Sequence, residues 1–209
     1  MNEIAQLELR LHRSEEQWAD SFLVAALFKD DETPQHIQRM SRYAEVIVQT
    51  TAQDREHARM VRLASQLHDI GKLGIPDEIL LKMGTLTPSE VAVMRRHTVI
   101  GHGILANIGD SEIARLASAT ALSHHERWDG HGYPHGLRGE DIPEVARVAA
   151  IADAFDALST NRIYRKAYSV PKALDLMRAE RGRQFDPELL DGFFAAIDQV
   201  MDIFKAHPD

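Results

Sequence analysis

An all-α fold is the reading on which three features of this sequence agree. Apolar residues recur at helical spacing along most of the 209 residues, while few stretches alternate as strands do. Proline and glycine punctuate these segments instead of filling them. Helix starts are also spelled out. Thr87-Pro88-Ser89-Glu90 is a capping box with proline at the first helical position. Asp186-Pro187-Glu188 repeats the cap-then-proline logic, and Thr33-Pro34 opens a third helix the same way. With 44% hydrophobic residues the chain can bury a sizeable core, and its length suits one large domain with at most a small extension.

Taken in order, the first helix is expected over residues 2–28. Ile4, Leu7, Leu11 and Trp18 fall at a/d spacing there, and Ser14 interrupts the stripe. A stripe of about two heptads is too short to define a coiled coil. The helix either packs on its own domain or is the end of a linker helix that pairs with a second copy. The expected division is therefore a helical segment at 1–30 and one compact helical domain at 31–206. Within the latter, the periodic run Met60, Val61, Leu63, Ala64, Leu67 leads into His68-Asp69. His97 follows Met94-Arg95-Arg96 and reads as mid-helix. A helix over 113–123 closes on His124-His125. Residues 126–143 break the pattern: Gly130, Gly132, Gly136 and Gly139 with Pro134 and Pro143 make a loop of a length usually kept for function. The terminal His207-Pro208-Asp209 reads as a frayed end.

Composition excludes several classes of function. The net charge of −8, from 24 basic and 32 acidic residues, is wrong for a broad nucleic-acid footprint. A small phosphate ligand remains compatible, because bound metal ions supply local positive charge. The absence of cysteine removes disulfides, zinc–thiolate sites and thiol catalysis, so any metal must be held by imidazole and carboxylate. The apolar stretch at 22–28 is too short to span a bilayer and lacks a signal-peptide layout. A cytoplasmic location is the expectation, with neither a membrane nor a polymeric nucleic acid as partner.

Eleven histidines raise the question of which ones converge. Adjacent His68 and Asp69 can reach one ion together, with the second Asp oxygen bridging to another, although a lone His-Asp pair is weak evidence. His124-His125 at a helix end is sharper, although imidazolium at a helix C-terminus is also favoured by the dipole alone. His36 lies in a first helical turn. Asp153 sits in the apolar run Ala149-Ala150-Ile151-Ala152-Asp153-Ala154-Phe155, where a carboxylate is costly unless paired or metal-bound, and Asp156 competes for the same role. Together these residues describe a helical bundle projecting imidazoles and carboxylates inward, a common way to build a two-metal site.

Three segments carry a resemblance to a known family. His68-Asp69-Ile70-Gly71-Lys72-Leu73-Gly74-Ile75-Pro76, then His124-His125-Glu126-Arg127-Trp128-Asp129-Gly130-His131-Gly132-Tyr133-Pro134, then Ile151-Ala152-Asp153-Ala154-Phe155-Asp156-Ala157-Leu158 together resemble the HD-GYP family, over residues 32–187. The resemblance implies a single compact helical HD-type domain with an N-terminal helical extension and a GYP loop. It implies hydrolysis of cyclic di-GMP to linear pGpG and on to GMP, by a hydroxide bridging two divalent ions, Fe or Mn. His36, His68, Asp69 and Asp153 would hold one ion; Asp69 would bridge to a second, completed by His97, His124 and His125. Lys72 would sit beside the substrate phosphate, Arg162 and Arg165 would contact phosphate and guanine, and Tyr133 would shape the cavity wall.

Departures leave alternatives open. Glu32 stands where some family members take a third ion, four residues before His36, but Pro34 places it outside the helix that begins at Thr33. Ile163 replaces a proline, and His131, replacing a small residue, is expected to be exposed. His12, His57, His102, His135 and His207 match no ligand position. Rival readings are a signalling module that binds a partner protein through the GYP loop with little catalysis, and a hydrolase of another cyclic dinucleotide such as cyclic GMP-AMP.

Overall fold

The computed structural model describes residues 3–27, 29, 33–52, 54–109, 111–161 and 166–208. Glu32, Arg162, Ile163 and Arg165 lie outside the described residues, and the side chains of Ile4, Leu7 and Leu11 are likewise outside them. Among the described residues the regular structure is helical, apart from one isolated bridge between Arg181 and Phe185.

The helices are α1 (Glu3–Leu27), α2 (Pro34–Thr51), α3 (Arg55–Ser65), α4 (Asp77–Leu80), α5 (Pro88–Met94), α6 (His97–Ala106), α7 (Glu112–Ser123), α8 (Glu144–Ser159), α9 (Val170–Ala179), α10 (Pro187–Ala195) and α11 (Ile197–Ala206). The caps read from the sequence are in place. The Thr33 hydroxyl accepts from the His36 amide, Asp186 accepts from Glu188 and Leu189, and Thr87 and Glu90 form the reciprocal capping box.

Helix α2 is the central post, packed against α3, α8, α10 and α11. Its buried stripe, Met40, Tyr43, Ala44, Ile47 and Val48, has helical spacing and meets Val148, Ala152 and Phe155 of α8 and Phe193 of α10. Tyr43 and Phe193 both meet the Phe155 ring, at centroid distances of 5.4 and 5.2 Å. Packing of α8 on α2 also places Asp156 against His36. The second half of α1 lies on this body: Ala19 is buried, Trp18 and Phe22 pack on the core, and Arg59 pairs with Glu15.

Four local readings change. Helix α3 ends at Ser65, so His68-Asp69 occupies the following turn and not the helix end. His97 is not mid-helix; the chain turns at Arg95-Arg96 and α6 begins at His97. The 3-10 segment Ile70–Gly74 packs on α6 there so tightly that a Cβ on Gly71 would stand 1.8 Å from the His97 carbonyl oxygen. His207 is not frayed, because its carbonyl accepts a 2.7 Å hydrogen bond from Nη1 of the buried Arg39. Finally, the costly buried carboxylate of α8 is Asp156, whose side chain is fully buried, whereas that of Asp153 is 23% exposed.

Candidate metal centre

Five elements deliver the expected ligands to one place: the start of α2 (His36), the turn after α3 (His68, Asp69), the α5–α6 junction (His97), the end of α7 (His124, His125) and the middle of α8 (Asp153). Their donor atoms form two groups, Asp69 with His97, His124 and His125, and His36 with His68 and Asp153; within each group all lie within 4.8 Å of one another. Asp69 joins the groups. Its Oδ1 is 3.1 Å from His97 Nε2 and 3.5 Å from His124 Nε2, while Oδ2 is 3.2 Å from His68 Nε2.

The tautomers follow from the outer hydrogen bonds. His68 Nδ1 lies 3.0 Å from the Ser65 carbonyl, His97 Nδ1 lies 2.8 Å from that of Met94, and His124 Nδ1 lies 3.0 Å from that of Thr120. A carbonyl can only accept, so each Nδ1 carries the proton and each Nε2 presents a lone pair inward. All three histidines use one device: an imidazole just beyond a helix donates to a main-chain carbonyl of that helix's last turn. His36 is held differently. Its Nδ1 donates to Asp156 Oδ2 at 2.8 Å, and Arg39 donates to the same carboxylate through Nε at 2.7 Å and Nη2 at 2.9 Å.

The result is a hole lined with acceptors. His97 Nε2 faces His124 Nε2 at 3.4 Å with a carboxylate oxygen beside both. Asp69 Oδ1 is buried and has no hydrogen-bond partner, while His36 Nε2 and His68 Nε2 are buried beside carboxylate oxygens, 3.7 Å from Asp153 Oδ1 and 3.2 Å from Asp69 Oδ2. Converging lone pairs without a proton between them repel, and burial without a partner costs the Asp69 oxygen about 1–3 kcal/mol. A cation resolves both costs. Imidazole and carboxylate ligands with their outer nitrogens fixed by hydrogen bonds are the donor set of a metal site, and the residues therefore fit divalent ions.

Electrostatics agree with this. Burial pulls the His125 imidazole well below the usual histidine value, with the neighbouring His124 as the next cause, and burial lowers His97 too. Both stay neutral at pH 7, as ligands must be. For Asp69 burial opposes ionisation, but the neighbouring charges, that of Lys72 first, outweigh it and hold the carboxyl well below the ordinary range. Lys72 Nζ is 2.9 Å from Asp69 Oδ2.

The loop that follows α7 forms one wall. Tyr133 stacks on His125 at 4.8 Å, and the Arg95 guanidinium covers the Tyr133 ring at 4.7 Å. The Tyr133–Pro134 peptide is cis. The loop is organised around Glu126, whose buried carboxylate accepts from the His135 and Leu137 amides at 2.7 and 3.1 Å. A Cβ on Gly132 would stand 2.4 Å from the Arg127 nitrogen, which is why the loop needs glycine there. A cavity of about 330 Å³ lies over His124, His125, Asp153 and Tyr133. His131 is exposed on its rim, as expected.

Sequence reasoning missed Arg39 and Glu126, and left Asp156 competing with Asp153. Arg39 had a signal: it lies three residues after His36 on the apolar side of α2. Glu126 had none, because a loop carboxylate looks solvated until its amide partners are known.

Comparisons with known proteins follow the same lines. The sequence model described as HD domain matches residues 23–189. The chain is 41% identical over 181 residues to the cyclic di-GMP phosphodiesterase response regulator RpfG of Xanthomonas campestris pv. campestris, covering 85% of this chain and 48% of that protein. It is 37% identical over 182 residues to a cyclic di-GMP phosphodiesterase of Thermotoga maritima, covering 87% and 49%. It is 39% identical over 178 residues to the 3'3'-cGAMP-specific phosphodiesterase 2 of Vibrio cholerae, covering 85% and 34%. The chain thus spans about half the length of the first two relatives and a third of the last. A solved cyclic GMP-AMP specific phosphodiesterase of Vibrio cholerae superposes with a TM-score of 0.64 at 18% identity, covering 93% of this chain and 54% of that one, a likeness of fold.

Proposed function

This chain belongs to the HD domain family, in its HD-GYP branch, and from that premise we propose that it hydrolyses cyclic di-GMP to linear pGpG, and onward to GMP, with two divalent ions, Fe or Mn. The observation that carries the reading is the acceptor-lined hole, in which the donor atoms of seven imidazole and carboxylate side chains converge in two groups joined by Asp69.

In this reading His36, His68 and Asp153 would hold one ion and His97, His124 and His125 the other, with Asp69 a ligand common to both. When bound, such ions act as Lewis acids toward a phosphodiester and bring the ionisation of water toward neutral pH. The chain's own residues do the rest. Asp156 and the helix-end carbonyls fix the imidazole rings in their tautomers. Lys72, beside Asp69, places a positive charge where a phosphoryl oxygen gains negative charge, the kind of electrostatic stabilisation that usually dominates such reactions. Tyr133 closes one side of the cavity and limits water. Arg162 and Arg165 are assigned to phosphate and guanine contact, and Glu32 to a third ion where one is bound. Residues 1–30 are assigned to pairing with a second copy, residues 31–206 to catalysis, and the GYP loop to docking a signalling protein. Among the described residues no helix is long and apolar enough to cross a membrane.

Cyclic GMP-AMP is the second reading, because a relative named for it is 39% identical against 41% for one named for cyclic di-GMP. Chromatography of products from both substrates, with Mn(II) or Fe(II) under anaerobic conditions, decides between them. pGpG followed by GMP is the expected outcome. No turnover of either substrate would leave a binding module instead of an enzyme. A His68→Ala/Asp69→Ala variant is expected to lose turnover and metal retention while keeping its helical circular dichroism; full activity in it would overturn the ligand assignment.

A further inference from the structure

The cavity over the histidines has a neighbour. A second cavity of about 630 Å³ is lined by Leu86, Pro88 and Val91 around α5 and by Pro134 of the loop. Arg95 and Tyr133 line both cavities and form the seam between them. Each volume lies within the usual range of a small-molecule site, and the two adjoin.

Arg95 is unlike most paired arginines of this protein. Arg59, Arg127, Arg147 and Arg181 each donate to a carboxylate. Arg95 is exposed and, among the described residues, its guanidinium makes no ion pair; its contact is the face of Tyr133. Stacking fixes the plane of the guanidinium but leaves its edge, with five N–H donors, open to the cavities. A stacked guanidinium with open donors at the seam of two cavities suits an anion, and its local charge counters the net charge of −8. Tyr133 in turn stacks on His125, so the position of this cation is tied to the metal centre.

Resting on the function proposed above, the chemistry of the substrate says what that anion is. A cyclic dinucleotide closes two phosphodiesters into one ring, so a second phosphate always accompanies the reacting one. Lys72, beside Asp69, serves the first. We propose that Arg95 is a specificity-determining residue of this site: it holds the second, non-reacting phosphate of the cyclic dinucleotide at the seam between the two cavities. Substrates with one phosphate do not use it.

The test compares wild type with Arg95→Ala and Arg95→Lys. Steady-state kinetics with Mn(II) use cyclic di-GMP and the single-phosphate diester bis(p-nitrophenyl) phosphate; calorimetry on metal-depleted protein uses cyclic di-GMP and 3',5'-cyclic GMP. Arg95→Ala is expected to raise KM and Kd for cyclic di-GMP about tenfold or more, as for loss of a charge-assisted phosphate contact. Its kcat should stay within about twofold, and both single-phosphate ligands should behave as in wild type within about twofold. Arg95→Lys should recover part of the loss. Equal KM and Kd for cyclic di-GMP in wild type and Arg95→Ala would overturn the proposal and leave the substrate reading intact. A fall in kcat on both substrates would also overturn it, since Arg95 would then act only by supporting Tyr133 and His125. A wild type that cleaves bis(p-nitrophenyl) phosphate but neither binds nor cleaves cyclic di-GMP would overturn the substrate reading and this proposal with it.

Discussion

The half of the metal centre that holds His36 has a side-chain brace in addition to the Ser65 carbonyl that holds His68; for the other half the outer bonds of His97 and His124 are main-chain ones. Around His36 the brace is made of side chains: Asp156 receives the imidazole proton and is gripped by Arg39, which also reaches the His207 carbonyl at the far end of the chain. Around His97 and His124 the brace is the main chain, through the carbonyls of Met94, Thr120 and Ala121. A side-chain brace can be removed by one substitution. A main-chain brace moves only when a helix end moves. Each half should therefore fail to a different kind of change.

The largest effect is expected from Asp156→Ala. It removes the bidentate partner of the buried Arg39, and breaking a buried pair costs about 3–5 kcal/mol. It also frees the His36 ring, and loss of such an outer partner lowers metal affinity about 10–100-fold. Urea unfolding and metal analysis check both, and the expected product keeps about one ion per chain, in the His97 half. Loss of both ions together would mean that the halves are not braced separately.

Gly71→Ala is the matching change for the main-chain half. The new Cβ would meet the His97 carbonyl and the Gly101 amide, so α6 must shift. Overpacking of this kind costs about 1–3 kcal/mol. The expected variant retains the ion of the His36 half and loses affinity in the other, read by competition with a chromogenic chelator.

The smallest effect is that of pH on the metal-free protein. Burial lowers His97 and His125 from the usual 6.5, so the unfolded chain takes up protons before the folded one. Their contribution is complete above about pH 6.5 and is lost as pH falls below it, by at most about 1.4 kcal/mol per pH unit for each imidazole. Denaturation midpoints at pH 7.5 and 5.5 should differ in that direction. The difference should shrink in a His97→Gln/His125→Gln variant; an unchanged difference would show that other groups carry it.

What the sequence determined by itself is what depends on short range. The caps at Thr33, Thr87 and Asp186 need only neighbouring residues, and the apolar period of α2 and α3 reports burial wherever the helix packs. Residue type limited the metal ligands to imidazole and carboxylate, and the resemblance to the HD-GYP family implied which ones converge. What only the tertiary structure decided is where the outer hydrogen bonds go. Whether Asp153 or Asp156 faces the cavity depends on the packing of α8 on α2. The close packing of α6 on the 3-10 segment depends on Gly71, distant in sequence. Glu126 has value only because its loop folds back to bring two amides to it. The seam that makes Arg95 a site arises because α5 and the loop after α7 meet at Tyr133. Contacts of this kind form between elements far apart in the chain, and no local pattern records them.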